Sequence, residues 1–262
     1  MKNILFVFLI ILFLGSCTKH KDTTNKDTKN ETKLEEKTNV PKEIIGTYLN
    51  TVYLDLLNET KSHTVAINKV HDEYNIEIDE IIISEEKMLL IVGLHEGISC
   101  KIISINDNTL VFRESQHKNV NEITLTDDNL LMYGDVMYRK VAHDTAPGPG
   151  RKIGVKTYIT GIIFGDKIYR NDKGDELYRL QNGNILYKNK EYEFNYGYLL
   201  QNQHYDKLCL IEERNNWPPK DYWIKMNGDE ISVYIIQVPD DYDDIDWAMI
   251  SEFVLVDTLG KS

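Results

Sequence analysis

From Glu43 to the C-terminus, the apolar positions fall in short runs of Ile, Val, Leu and Tyr, broken at regular intervals by Asn, Asp and Gly. Runs of that length and composition between turn formers predict β-strands. The first series is Ile44 to Leu49, Thr64 to Asn68, Tyr74 to Ile83, Lys87 to Leu94, Ile98 to Ile105, Thr109 to Arg113, Glu122 to Thr126 and Val136 to Val141. His95-Glu96-Gly97 reads as a hairpin turn with Gly97 free to take a positive φ, and Asn106-Asp107-Asn108 and Asp127-Asp128-Asn129 repeat that composition.

A second series follows Ala146-Pro147-Gly148-Pro149-Gly150, whose Pro and Gly density opposes regular structure. It runs Lys156 to Phe164, Lys167 to Arg170, Glu176 to Leu180, Ile185 to Tyr187, Tyr192 to Leu199, Lys207 to Glu212, Tyr222 to Met226, Glu230 to Gln237 and Glu252 to Asp257. Turn signals stand at Asn171 to Gly174, Gln181 to Asn184 and Asn227 to Asp229. The whole predicts an all-β chain, an antiparallel meander closed as a barrel or packed as a sandwich. No residue-level repeat relates the two series. The loop at 142–152 is short for a linker between independent units, so one barrel is the favoured arrangement and two small β units the alternative.

One helix interrupts the pattern near the N-terminus. Asn50 can cap Thr51 to Thr60, and Leu49, Tyr53, Leu56 and Leu57 fall at i, i+4, i+7 and i+8 on a single apolar face. Such a helix is expected to plug an end of the sheet structure.

The first residues have a different pattern. One positive charge, Lys2, precedes the unbroken apolar run Ile4 to Leu14. That run is well short of the roughly 20 residues a spanning helix needs, and it reads as a signal-peptide core. Leu14-Gly15-Ser16-Cys17 resembles the lipobox of bacterial lipoproteins. The resemblance implies cleavage before Cys17, a diacylglycerol on its thiol and further acylation such as palmitate, hence a lipid-anchored protein of the cell envelope. At about 0.8 kcal/mol per buried methylene, two or three chains hold a protein in the membrane. Residues 1–17 are thus expected as signal peptide and lipobox, 18–41 as a polar tether and 42–262 as the β domain. The tether holds Lys, Asp, Glu, Thr and Asn with Leu34 as its main apolar residue, too little to offset ordering entropy. As a coil it would span roughly 25 to 30 Å.

From Lys42 onward 37 acidic residues stand against 23 basic ones. A phosphate backbone would be repelled by that field, which argues against nucleic-acid binding and against docking on anionic lipid. Cys100 and Cys209 both lie in apolar runs; an oxidising compartment would allow them to form a bridge, and buried free thiols are the favoured alternative.

Sequence support for catalysis is lacking. There is no G-x-S-x-G, no Gly-rich loop between strand and helix, and no zinc spacing among His20, His63, His71, His95, His117, His143 and His204. Neither a metal nor a cofactor is expected. His95 beside Glu96 could serve acid–base chemistry at a barrel mouth, though an exposed hairpin tip is the ordinary reading. Asp240 to Asp246 gathers carboxylates without the D-x-D-x-D-G core of a calcium loop, which leaves a solvated acidic loop as the expectation.

The aromatics offer more. Sixteen Tyr and three Trp include Tyr187, Tyr192, Tyr196 and Tyr198 in one predicted hairpin and Trp217, Tyr222, Trp223 and Trp247 in the C-terminal third. Large rigid rings with polar tips suit recognition, while strands favour aromatics in any case. Tyr196, Tyr198, Trp223 and His95 are the candidate ligand-binding residues.

Gly46-Thr47-Tyr48, just after the tether, resembles the G-x-W opening of lipocalin-like barrels, with Tyr in place of Trp. The arginine such barrels bring near their last strand is missing from Glu252 to Asp257. Tyr48-Leu49-Asn50, Tyr53-Leu54-Asp55, Thr60-Lys61-Ser62 and Leu94-His95-Glu96-Gly97 together resemble a group of uncharacterised bacterial lipoproteins. The likeness to those lipoproteins implies a compartment and no chemistry; the lipocalin-like opening leads to the expectation of a barrel that binds a small or apolar ligand. The alternative is an envelope interaction protein, an adhesin or inhibitor, that uses an exposed aromatic face.

Overall fold

The computed structural model describes residues 39–92, 96–115, 119–126, 129–143, 153–195, 205–211, 221–236 and 253–262. Cys17, the tether up to residue 38, His95, Tyr196, Tyr198, His117, His204, Trp217, Trp247 and Asp240 to Asp246 lie outside the described residues.

The chain is all-β and antiparallel, as its pattern predicts, and of the two arrangements left open it takes the second. β1 (Gly46–Asn50), β2 (Ile78–Ile83), β3 (Met88–Val92), β4 (Glu96–Asn106), β5 (Thr109–Glu114), β6 (Val120–Thr126), β7 (Leu130–Tyr133) and β8 (Val136–Ala142) form one closed barrel. β9 (Ile168–Arg170), β10 (Glu176–Arg179), β11 (Ile185–Tyr187), β12 (Lys190–Asn195), β13 (Asp206–Leu210), β14 (Tyr222–Asn227), β15 (Glu230–Ile236) and β16 (Phe253–Lys261) form another. In each, every strand pairs with the next and the last returns to the first, Tyr48 facing Lys140 and Arg170 facing Gly260. Eight strands suffice to close a barrel just wide enough for side chains. β8 therefore meets β1 before the chain reaches 144–152.

Among the described residues, three α-helices stand where one was expected. α1 (Thr51–Thr60) keeps its predicted cap, the Tyr53 N–H donating to Asn50 Oδ1 at 2.6 Å, and its predicted apolar face is buried. α2 (His63–Tyr74) and α3 (Ile153–Phe164) replace the strands expected at 64–68 and 156–164. The β-branched residues that suggested strands are buried at helical spacing, with Thr64, Ile67 and Val70 on one face of α2 and Val155, Ile159 and Ile163 on one face of α3. Ser62 caps α2 through the Val65 N–H, and tertiary burial overrides local propensity. The predicted turn at Gly97 also differs. Glu96 and Gly97 already belong to β4, opposite Val92 and Ile91.

Two cores result. Tyr48, Ile81, Leu90, Phe112, Ile123 and Tyr138 belong to the core of the first barrel. The second barrel's interior, with Tyr169, Tyr187, Phe194 and Leu259 among it, is continuous with the buried faces of α1, α2 and α3. The helices thus close one end of the second barrel while α1 runs directly out of β1 of the first.

Candidate functional site

His95, Tyr196 and Tyr198 lie outside the described residues, and Trp223 is buried on the second barrel. Alternation along β14 sends its neighbour Ile224 into the core, so Trp223 takes the outer face. Lys207, held by Asp221 at 2.6 Å, places its Nζ 5.4 Å from the Trp223 ring centre. Phe253 packs edge-on against Trp223 at 5.5 Å and stacks on Tyr205 at 4.2 Å, and Tyr205 meets Tyr234 at 4.9 Å. Beside this ladder, on β15 and β16, Ile235, Leu255 and Val256 are exposed. Tyr187 and Tyr192, from the same aromatic hairpin of the sequence, turn into the second barrel and close on Tyr222 at 5.3 and 5.5 Å.

A second cluster, which sequence reasoning missed, sits where the helices meet the first barrel. Leu49, Tyr53, His63, Ile67, Asp79, Glu80, Val155 and Ile159 line a cleft of about 250 Å³ counted out to its open mouth, with interior room for about one water molecule. The Tyr53 hydroxyl and His63 Nδ1 are 2.8 Å apart, and His63 lies edge-on to Phe194 of the second barrel at 6.4 Å. On the same helix His71 Nε2 lies 2.7 Å from Asp79 Oδ1. Its hydrogen bond to Asp79 and the nearby charges of Asp79 and Asp72 outweigh partial burial and raise the imidazole above its ordinary value. Asp79 is forced inward by a bulge in the β2–β3 ladder between Ile78 and Glu80. Nothing in a period-2 reading of Glu77 to Ile83 foretold that.

His–carboxylate and Tyr–His pairs are the parts of general acid–base sites. Here they flank a cleft with interior room for about one water molecule and tie α2 to α1 and to β2. Among the described residues no three His, Cys, Asp or Glu side chains gather as metal ligands. The two cysteines do not bridge. Cys100 is in the interior of the first barrel and Cys209 is on β13 of the second, both as free thiols, with burial raising them to about 12 and about 11 respectively.

No family model matches this chain, and no curated protein or solved structure is similar enough to count as a relative.

Proposed function

We propose that the protein is a lipid-anchored envelope protein, held by acyl chains on Cys17, that acts as an interaction module through the outer face of its second barrel. The observation that carries this reading is that, among the described residues, large rings pack inside both barrels. Tyr48, Phe112 and Tyr138 occupy the first, and Tyr169, Tyr187 and Phe194 the second, each under 2 % exposed. Pockets for small ligands usually enclose about 300 to 1,000 Å³. A carrier of an apolar molecule would need such space inside a barrel, and the packed interiors favour the alternative. On the outside, the Tyr205–Phe253–Trp223 ladder is a rigid aromatic base, and exposed Leu255, paired with Tyr234, continues it with Val256 alongside. Buried aromatic anchors beside apolar surface are the usual ingredients of a protein-binding patch. The acidic excess supports a protein partner over nucleic acid.

The test uses the soluble form beginning after Cys17, passed over immobilised envelope proteins of the producing cell. Retention that is lost in a Leu255→Asp, Val256→Asp double variant of unchanged thermal midpoint supports the reading. Equal retention of wild type and variant overturns it, as does a small molecule co-purifying in native mass spectrometry.

A further inference from the structure

The helix α2 is held at its two ends by buried carboxylates from different barrels. At its N-terminus the carboxylate is Asp206, the first residue of β13 and 2 % exposed. The Thr64 N–H donates to Asp206 Oδ1 at 2.8 Å and the His63 N–H to Asp206 Oδ2 at 3.2 Å. The Thr64 hydroxyl donates to the Tyr205 carbonyl at 3.0 Å, which fastens the same turn to the chain entering β13. In sequence these partners lie more than 140 residues apart. At the other end, His71 is bound to Asp79 of β2 in the first barrel, itself 2 % exposed.

We propose that α2 is a pH-sensitive strut, whose anchors Asp206 and His71–Asp79 tighten the union of the two barrels as the surroundings turn mildly acidic. The physical reason differs at the two ends. Asp206 is taken out of water into a site where the groups facing it are the Thr64 and His63 N–H groups and the Ser62 and Thr64 hydroxyls of α2. Ile224 of β14 is its partner in the β13–β14 ladder, and the His63 ring on the same turn of α2 is itself paired with the Tyr53 hydroxyl of α1. The helix dipole favours a carboxylate at this end. Burial nevertheless outweighs the hydrogen bonds and pushes its carboxyl up to about 6. His71 faces Asp79 and Asp72 and is raised by them. Glu80 of β2 and, from α3, Val155 and Ile159 line the adjoining cleft.

Both groups act in one direction. An acid whose folded value exceeds its unfolded one stabilises the fold most when protonated, and that advantage is lost as pH rises from about 3.8 to about 6. A histidine raised in the fold contributes fully below its ordinary 6.5 and loses that contribution as pH rises through the folded value. Between pH 8 and pH 5.5 acidification should therefore strengthen the strut.

The experiment follows the thermal midpoint of the soluble chain from pH 8 to pH 5.5, in wild type and in Asp206→Asn, His71→Gln and the double variant. The Asp206→Asn change keeps an acceptor for α2 without a charge to bury, and His71→Gln keeps a donor for Asp79 without titrating. Wild type is expected to gain about 2 to 5 °C toward pH 5.5. Each single variant should lose part of that gain, and the double variant most of it. A flat or falling wild-type midpoint overturns the proposal. So does a double variant with the full gain, which would assign the effect to the net negative charge of the whole domain. Should a variant fail to fold, amide exchange in the wild-type protein decides. After correction for intrinsic rate, slower exchange at His63 and Thr64 at pH 5.5 than at pH 8 supports the strut, and equal or faster exchange overturns it.

Discussion

The Tyr187 hydroxyl donates to Asp257 Oδ2 at 2.7 Å, tying β11 to the last strand of the chain across the mouth of the second barrel. Asn171 Nδ2, from the turn after β9, donates to both oxygens of the same carboxylate at 3.1 and 2.9 Å, and Lys188 Nζ lies 3.3 Å away. Burial alone would raise Asp257, but the bonds from Tyr187, Asn171 and Lys188, together with the Lys188 charge, outweigh it and hold the carboxyl below its ordinary 3.8. Its contribution is present above that value and is lost as pH falls through the lower folded one. Tyr187→Phe should cost about 1 to 2 kcal/mol at pH 7. It should also reduce the loss of stability between pH 5 and pH 3, because the carboxyl moves back toward its unfolded value. Urea midpoints of wild type and variant at the three pH values check both effects.

Gly183 makes a close backbone approach between α3 and the second barrel. Its φ is +79°, and a Cβ there would lie 2.9 Å from the Thr157 nitrogen and 3.0 Å from its Cα. Gly174 has φ +85° with open space around it. Gly183→Ala adds a backbone collision to the left-handed strain, whereas Gly174→Ala meets strain alone. The first should cost more than about 2 kcal/mol and the second about 1 kcal/mol. Equal midpoints for the two variants in chemical denaturation would show that the approach to Thr157 carries no energy.

Most turns and most strands were legible in the sequence, but β7 was missed, α2 and α3 read as strands, and closure was not legible. The Asn171, Gln181 and Asn227 turns carry Gly174, Gly183 and Gly228 at positive φ, as their composition requires. What hid the second barrel is that closure depends on which strands meet across the chain, and β8 opposite β1 leaves no local signature. The opening Gly46-Thr47-Tyr48 shows the same limit. Its expected basic partner was sought near Asp257, yet the first barrel ends at β8, where Lys140 Nζ lies 6.0 Å from the centre of the Tyr48 ring and donates to the Glu43 carbonyl at 2.7 Å. Gly46 is required there, since a Cβ would sit 2.5 Å from the Ala142 oxygen. The cleft around His63 and Asp79 was illegible for a related reason. His63 borders a segment that reads as a strand and is a helix, and Asp79 lies on a strand whose bulge breaks the alternation.

The anchor proposed at Cys17 predicts a specific biochemical difference. Wild type expressed with a labelled fatty acid should incorporate the label and partition with membranes. Cys17→Ala should lose the label and accumulate at the mass of the uncleaved precursor, because the lipobox peptidase acts on the modified cysteine. Undiminished labelling of the variant would refute the assignment.

Thiol chemistry checks the separation of the two barrels. Thiolates are the reactive species, and burial raises Cys100 to about 12, with Glu114 adding to it, and Cys209 to about 11, with Asp221 adding to it. At pH 8 each is therefore protonated as well as shielded. The soluble form lacking Cys17 should show almost no reaction with a disulfide reagent when native and should release two thiols per chain in guanidinium without reductant. Cys209 is the less buried of the two and should react first as denaturant is raised. Zero thiols in guanidinium, with two recovered after reduction, would mean that the cysteines are joined, which places Cys100 outside the first barrel's interior and contradicts the packing of β3, β4 and β5 around it.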